Sequence, residues 1–132
     1  MMANACPFCV RDPGEVGRVT LENEHCLFLQ RIGENQALQG SGIIVPRAHR
    51  PTVFDVTADE WMATYDLLTR VHDQMVRELN PDGFNVGWNC GEAGGQSIHH
   101  AHLHVIPRFD DEPFAGKGIR HWLKSEANLR PS

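Results

Sequence analysis

Histidine and apolar residues alternate between residues 100 and 107, HAHLHVIP, and this stretch constrains the fold more than any other. Successive side chains of a β-strand point to opposite faces of a sheet, so the alternation predicts a strand. One face of that strand would carry His100, His102 and His104, at a spacing of about 7 Å. Core packing does not explain three imidazoles in strict alternation, so we expect the histidine face to be a functional site.

Four other segments have the composition of strands. They span residues 18–22, 26–32, 43–46 and 84–89, and turn residues or glycine-rich loops separate them. One further segment has a long helical pattern, and no regular alternation of strands with helices appears. The sequence therefore predicts an α+β domain with an antiparallel sheet of about five strands and one long helix.

The predicted helix follows Thr57, which can cap its N-terminus, and Glu60 completes a capping box three residues later. Asn80 and Pro81 end the helix. His72 lies on the flank of its apolar stripe and is expected at the surface. The stripe recurs at steps of three and four residues and would face the core: Trp61, Tyr65, Leu68, Val71, Met75 and Leu79.

Composition and charge exclude several classes of protein. The 132 residues suit one domain, and 17 acidic against 12 basic residues give a net charge of −5. No run of Lys or Arg marks a general nucleic-acid binder. The chain also has no apolar run of roughly 18 residues and no signal-peptide pattern at its start. We therefore expect a cytoplasmic protein that binds neither nucleic acids nor membranes.

The four cysteines fall into two groups. Cys6 and Cys9 form the close pair CPFC, which in an unsecreted chain either binds a metal or stays reduced. Cys26 and Cys90 lie in apolar surroundings and are expected to be small buried residues.

Two kinds of chemistry are open to the alternating histidines. Imidazole is a common zinc ligand, but the backbones of His100 and His104 would be about 13 Å apart, which argues against one ion bound by all three. A neutral imidazole can instead attack phosphorus and form a covalent intermediate. Its neighbours would then orient it, bind phosphate oxygens or transfer protons.

The loop before the histidines favours a phosphate site. Residues 91–97, GEAGGQS, offer flexible backbone that can approach an anion and expose N–H groups to it. Gln96 and Ser97 add side-chain donors. The loop lacks the spacing of a Walker or dinucleotide-binding motif. Its position beside a potential nucleophile is therefore the informative feature.

Several segments of the sequence together resemble the motifs of a known family. The stretch HHAHLHVIPRF is similar to the histidine-triad (HIT) motif, H-φ-H-φ-H-φ-φ with φ apolar, and IIVPRAH, NVGWNCGEAGGQS and CPFC occur in the family's order. The resemblance implies a HIT-like fold whose sheet extends across a homodimer. It also implies a single domain over residues 1–132, with a zinc-knuckle-like segment at 1–17, a core at 18–109 and a tail at 110–132.

The same resemblance implies roles for individual residues in cleavage at the α-phosphate of an adenine nucleotide. His102 would be the nucleophile that forms a nucleotidyl-histidine intermediate, and its other ring nitrogen would donate to a fixed acceptor, such as a backbone carbonyl. His104 and His100 would line the phosphate site. Ser97 would hydrogen-bond the leaving group.

The remaining nucleotide contacts come from the loop and the strand before it. The resemblance implies that Gln96 binds near the scissile bridge and that Asn89 contacts ribose or phosphate. Gly95 belongs to the loop whose backbone approaches the nucleotide.

The resemblance also implies a structural zinc site. Cys6 and Cys9 would bind the ion together with His49, after the VP of the third strand, and His100 from the triad. Two thiolates and two imidazoles form the closed tetrahedral set typical of structural zinc. His99 should point away from His100 and is not expected to be a ligand.

Two departures from the family pattern affect nucleoside recognition. Gly40 and Ser41 stand where relatives often have Gly-His, and Gln30 and Arg31 stand where an acidic residue usually holds the ribose hydroxyls.

The leading hypothesis is a nucleotide hydrolase acting on an adenosine phosphoramidate or a diadenosine polyphosphate. The alternatives are a nucleotide-binding regulatory or scaffold protein with weak catalysis, a nucleotidyl transferase or phosphorylase, and a metallohydrolase.

Overall fold

The computed structural model describes residues 5–31 and 37–131. Its centre is one five-stranded antiparallel sheet with the strand order β1-β2-β3-β5-β4. One long helix, α3 at Ala58–Leu79, covers one face of this sheet. The expected α+β architecture with five strands and one long helix is therefore confirmed. The strands are β1 Arg18–Glu22, β2 Cys26–Gln30, β3 Gly42–Pro46, β4 Gly83–Trp88 and β5 Leu103–Arg108.

Helix α3 spans Ala58–Leu79, and its ends follow the sequence signals. The Thr57 hydroxyl accepts a hydrogen bond from the Glu60 N–H, and the Glu60 carboxylate accepts one from the Thr57 N–H, so the capping box is complete. Asn80 ends the helix in the left-handed conformation, with φ of 47°. An asparagine tolerates that conformation better than most residues.

The face that α3 buries is rotated from the predicted one. Val71 and Met75 are buried as predicted, but Trp61 is 51% and Tyr65 is 61% exposed. Leu67 is fully buried on the sheet side, although it was not assigned to the stripe. Two polar residues, Glu60 and Thr64, also belong to the buried face of the helix, and a hydrophobic pattern does not predict them. The buried residues of α3 are Glu60, Thr64, Leu67, Val71 and Met75.

The opposite face of the sheet is covered by the N-terminal segment. Two short helices, α1 at Pro7–Val10 and α2 at Pro13–Val16, replace the loop expected there. Their Phe8 and Val16 pack with the apolar residues of β2 and β3 that point away from α3. The two faces of β2 therefore belong to two cores, because all of its residues from Cys26 to Leu29 are buried.

Several boundaries differ from the sequence expectation. Strand β5 begins at Leu103, so His100 and His102 lie on the segment that leads into it. Residue 32, predicted within the second strand, lies outside the described residues. Cys26 is fully buried as expected, whereas Cys90 is only half-buried.

The tail after β5 is held in place by Arg108. Its guanidinium donates to the Glu112 carboxylate and to the carbonyl oxygens of Phe114 and Lys117, the last two at 2.7 Å. A short helix, α4, follows at Arg120–Leu123. No helix within the described ranges has both the length and the hydrophobicity needed to cross a lipid bilayer.

Candidate functional site

His102 lies on the sheet face that the N-terminal segment covers. Its ring is nearly buried, and it packs edge-on against the rings of Phe8 and His104, with centroids 5.1 Å and 4.9 Å away. Its Nδ1 lies 2.8 Å from the carbonyl oxygen of His100. A carbonyl only accepts hydrogen bonds, so Nδ1 carries the proton and Nε2 keeps a free lone pair.

The surroundings of the histidines favour their neutral forms. Burial lowers the pKa of His102 below its ordinary value of 6.5, partly opposed by the hydrogen bond to the His100 carbonyl. Burial likewise lowers the pKa of His104, and the neighbouring His102 adds to the effect. A neutral His102 is the form that can act as a nucleophile.

Cys6, Cys9, His49 and His100 come together on the inner side of this face. One potential ligand atom from each lies within 4.8 Å of all the others. The Cys6 and Cys9 sulfurs are 3.4 and 3.5 Å from His100 Nδ1, and Cys9 Sγ is 3.4 Å from His49 Nδ1. In a tetrahedral zinc site, sulfur and nitrogen ligands are about 3.5 Å apart, given bonds of about 2.3 and 2.0 Å. The four residues therefore fit a zinc ion.

His100 is oriented as a metal ligand. Its Nε2 lies 2.8 Å from the Pro46 carbonyl oxygen, so this nitrogen is the donor and Nδ1 is free to bind a metal. The ring is fully buried, and burial lowers its pKa. His100 does not line the cavity that contains His102 and His104. The structure thus differs from the expectation that His100 also lines the phosphate site, because its ring is turned towards the cysteines.

The cysteine pair has the chemistry of a site that needs a cation. Burial raises the pKa of the Cys9 thiol above its ordinary value of 9.0, and the nearby Cys6 raises it further. Without a cation the Cys9 sulfur therefore favours the protonated state. Metal binding removes this proton, because the thiolate is the ligand.

A cavity of about 290 Å³ opens in front of His102 and His104. We call it the nucleoside pocket, after the nucleotide that the sequence resemblance leads us to expect on the histidine face. Its walls are mainly apolar, with Phe8 from α1, Leu29 from β2 and Ile43 from β3, and Ser97 lies at its edge. An apolar cleft with a few polar groups is the usual form of a small-molecule site.

The nucleoside pocket also holds an acidic side chain that the sequence analysis missed. Glu15 of α2 lines it together with Arg31 and Ser41, the two positions that depart from the family pattern. Arg31 donates a hydrogen bond to the Glu15 carbonyl oxygen at 2.6 Å. Glu15 is distant from β2 in sequence, so no local pattern could have placed it here.

Residues 91–97 form a compact loop around the buried Gln96. Its side chain accepts a hydrogen bond from the Gly91 N–H and donates to the carbonyl oxygens of Pro51 and Ile98. Gln96 therefore braces the loop, and its side chain does not line the nucleoside pocket. Gly95 adopts φ of +96° next to the Asn89 side chain, a conformation that favours glycine. Asn89 is exposed beside His104 in an adjoining cavity.

A partly buried ion pair supports the histidine segment on the side of helix α3. Arg50 Nε lies 2.9 Å from the Glu60 carboxylate of α3. The Arg50 carbonyl oxygen accepts a 2.6 Å hydrogen bond from the N–H of Ala101, the residue between His100 and His102. The sequence pattern indicates only a helix-capping role for Glu60, because its partner Arg50 lies in a loop ten residues earlier.

Comparison with known proteins shows which family this chain belongs to. A family model described as the HIT domain matches residues 16–111, so this chain belongs to the HIT family. An uncharacterised HIT-like protein of Methanocaldococcus jannaschii is 31% identical over 81% of each chain. A crystal structure of a HIT family protein from Bacillus anthracis superposes with a TM-score of 0.71 at 29% identity, covering 83% of this chain and 77% of that one.

Three relatives carry names that state an activity. An adenylylsulfatase of Arabidopsis thaliana is 32% identical over 93% of this chain and 63% of its own. An adenosine 5′-monophosphoramidase of Schizosaccharomyces pombe is 28% identical over 86% and 82%, respectively. A bis(5′-adenosyl)-triphosphatase of Dictyostelium discoideum is 31% identical over 57% and 52%. The names of all three refer to compounds of adenosine.

Proposed function

We propose that this protein is a nucleotide hydrolase that cleaves at the α-phosphate of adenosine nucleotides through a covalent nucleotidyl-histidine intermediate. The observation that carries the proposal is the orientation of His102. Its Nδ1 is held by the His100 carbonyl at 2.8 Å, and its neutral Nε2 is left to attack phosphorus. The named activities of three relatives support the same class of substrate.

The reaction would proceed in two displacements. His102 Nε2 forms a bond to the α-phosphorus as the bond to the leaving group breaks. Ser97, exposed at the edge of the nucleoside pocket, donates a hydrogen bond to the departing group. Water then attacks phosphorus, releases the nucleoside monophosphate and returns Nε2 to its neutral state. His104 lies beside His102 and would contact the phosphate oxygens.

The nucleoside would occupy the apolar pocket in front of His102. Phe8 and Ile43 offer flat or apolar surfaces for the base, and Glu15 offers a carboxylate to the ribose hydroxyls. Gly95 and Asn89 approach the nucleotide from the loop side, while Gln96 keeps the loop in its conformation.

A structural zinc ion would be held by Cys6, Cys9, His49 and His100. The ion would neutralise the two thiolates and fix α1 against the sheet, and it would take no part in the bond changes. Support comes from the sulfur–nitrogen distances of 3.4 and 3.5 Å and from the Pro46 contact that frees His100 Nδ1.

We further propose a cytoplasmic homodimer. Strand β4 is the last strand in the sheet order, and its outer edge has no partner among the described residues. Such an edge is able to pair with a second copy and extend the sheet. Within the described ranges none of the four cysteines forms a disulfide, which suits a reducing compartment.

Turnover of adenosine 5′-phosphoramidate and of diadenosine triphosphate tests the activity. His102→Ala should lose at least 10³-fold in kcat on both substrates, while adenylate binding is retained. His99→Ala is the matched control, because His99 is exposed next to the triad and should leave the rate unchanged. Equal rates for His102→Ala and the wild type would refute the proposal.

Two alternatives are separated by the same assay. If phosphate replaces water as the second acceptor and a nucleoside diphosphate accumulates, the protein is a phosphorylase or transferase. If adenylate binds but neither substrate is turned over, the protein is a nucleotide-binding regulatory or scaffold protein.

A further inference from the structure

One aromatic side chain contacts both the candidate zinc site and the candidate nucleophile. The Phe8 ring packs edge-on against the ring of His100, with centroids 5.6 Å apart, and against the ring of His102, at 5.1 Å. Phe8 is only 5% exposed, and it lines the nucleoside pocket. Phe8 therefore lies where the nucleophile, this pocket and the potential zinc ligands meet. We call the four potential zinc ligands the metal set: Cys6, Cys9, His49 and His100.

The helical turn that carries Phe8 also carries the two cysteines. Helix α1 begins at Pro7, whose fixed φ suits the first position of a helix. The N–H groups of Cys9 and Val10 donate to the Cys6 carbonyl oxygen at 3.1 and 3.0 Å, which closes the turn. The proline and these hydrogen bonds restrict the backbone. A displacement of the two sulfurs therefore also displaces the Phe8 ring.

The N-terminal segment continues from Phe8 along the wall of the nucleoside pocket. Glu15 and Val16 of α2 line the same pocket. The segment ends at Gly17, which has φ of +93°, and a Cβ at this position would lie 2.5 Å from the Gln30 carbonyl oxygen. Glycine permits this close approach to β2, so the far end of the segment is fixed. The end that carries Phe8 depends instead on the metal set.

A contact shared by two sites couples their binding free energies. A metal bound by the cysteines and by His100 would fix α1, and with it the Phe8 ring that faces the nucleoside. A nucleoside packed against Phe8 would in turn favour the arrangement in which the sulfurs and His100 converge. If the metal raises the affinity for the nucleotide by some factor, the nucleotide must raise the affinity for the metal by the same factor.

We propose that Phe8 is a positioning residue that couples the metal set to the nucleoside pocket, so that a bound nucleoside monophosphate strengthens metal binding and the metal strengthens nucleotide binding. This inference rests on the proposed function, because the nucleoside monophosphate is a product of that reaction. Couplings between two sites are typically 5- to 150-fold. Since one ring carries the contact, we expect a factor of about five, at the lower end of that range.

Competition for zinc between the protein and a chromogenic chelator measures the coupling. Saturating adenosine 5′-monophosphate (AMP) should lower the Kd for zinc about fivefold in the wild type. Phe8→Leu keeps an apolar side chain but removes the ring contacts with His100 and His102, so AMP should change its zinc Kd by less than about twofold. Ile43→Ala is the matched control, because Ile43 lines the same pocket from β3 and is outside the metal set. It should weaken AMP binding, yet at saturation it should retain the wild-type factor.

The reverse measurement checks reciprocity. AMP should bind the metal-free wild type about fivefold more weakly than the zinc-loaded protein. Thermal unfolding midpoints of the zinc-loaded variants report any general loss of stability, which alters the zinc Kd but not its dependence on AMP.

Equal AMP factors for the wild type and Phe8→Leu would overturn the coupling through Phe8. A zinc Kd that does not respond to AMP, or a wild type that binds no zinc, would also overturn it. These results would leave the proposed function intact as long as phosphoramidate turnover depends on His102. Loss of that dependence, or a wild type that does not bind AMP, would instead refute the proposed function.

Discussion

Replacing Glu60 should destabilise the domain and slow catalysis together. The Glu60 side chain is nearly buried and accepts hydrogen bonds from the Arg50 Nε–H, which is shared between its two carboxylate oxygens, and from the Thr57 N–H. Glu60→Ala removes all of them. It also frees the loop that contains Arg50. The Arg50 carbonyl oxygen accepts a 2.6 Å hydrogen bond from the N–H of Ala101, which lies between His100 and His102.

The expected loss follows from the burial of the two partners. Breaking a buried ion pair costs about 3–5 kcal/mol, but the Arg50 side chain is 35% exposed, so about 2 kcal/mol is a better figure here. Loss of the reciprocal cap at Thr57 adds about 1 kcal/mol. A total of about 3 kcal/mol corresponds to a fall of roughly 10 °C in the unfolding midpoint of a domain of this size.

Thermal and urea unfolding, together with kcat, measure this effect. Glu78→Ala is the control, because Glu78 is exposed near the other end of the same helix and should change stability by less than about 0.5 kcal/mol. Burial opposes ionisation of Glu60, but bonds from Arg50 and Thr57 outweigh it and its pKa lies below 4.5. The stabilisation should therefore be present above pH 4.5 and be lost as pH falls through the folded-state pKa. Equal midpoints for Glu60→Ala and Glu78→Ala would refute the reasoning.

Three shorter predictions concern the metal, the pH profile and the assembly. Elemental analysis should find one zinc per chain in the wild type and much less in Cys9→Ser, with an unfolding midpoint lowered by chelator only in the wild type; one full zinc in Cys9→Ser would contradict the ligand set. Because burial lowers the pKa of His102 and His104, the acid limb of kcat/KM should lie below pH 6.5; a limb above that value would contradict a neutral nucleophile. Sedimentation equilibrium should give twice the monomer mass of 14.8 kDa, and Val86→Pro on the open β4 edge should shift it towards monomer; a monomeric wild type would contradict the dimer.

Local patterns were enough to predict most of the fold. Strand alternation, the capping box at Thr57 and the stop at Asn80 all act within a few residues, so they can be read without tertiary contacts. The helix face was wrong for a tertiary reason. Glu60 can be buried because Arg50 neutralises its charge. Thr64 can be buried because its hydroxyl forms a hydrogen bond with the Cys26 sulfur at 3.5 Å. These partners come from other elements, and hydrophobicity alone does not reveal them.

Part of the candidate site could also be predicted from the sequence, and part could not. The proximity of His49, His100 and the cysteine pair was expected from the family motif, and the structure brings these four residues together. The acid of the nucleoside pocket, Glu15, was not found, because it comes from a short helix without a sequence signal of its own. A second cavity, lined by Gly87 and His104, could not be predicted either, since it depends on the pairing of these two residues across two strands.

The central claim is that the middle histidine alone forms the covalent bond. Acid-free quenching of the protein with excess diadenosine triphosphate, followed by peptide mass spectrometry, tests it most directly. We expect an adenylyl adduct on His102 that is lost in acid, as an N–P bond requires, and that is absent in His102→Ala but present in His99→Ala. An adduct on His104 or on Ser97, or turnover without any adduct on His102, would contradict a covalent role for His102 alone.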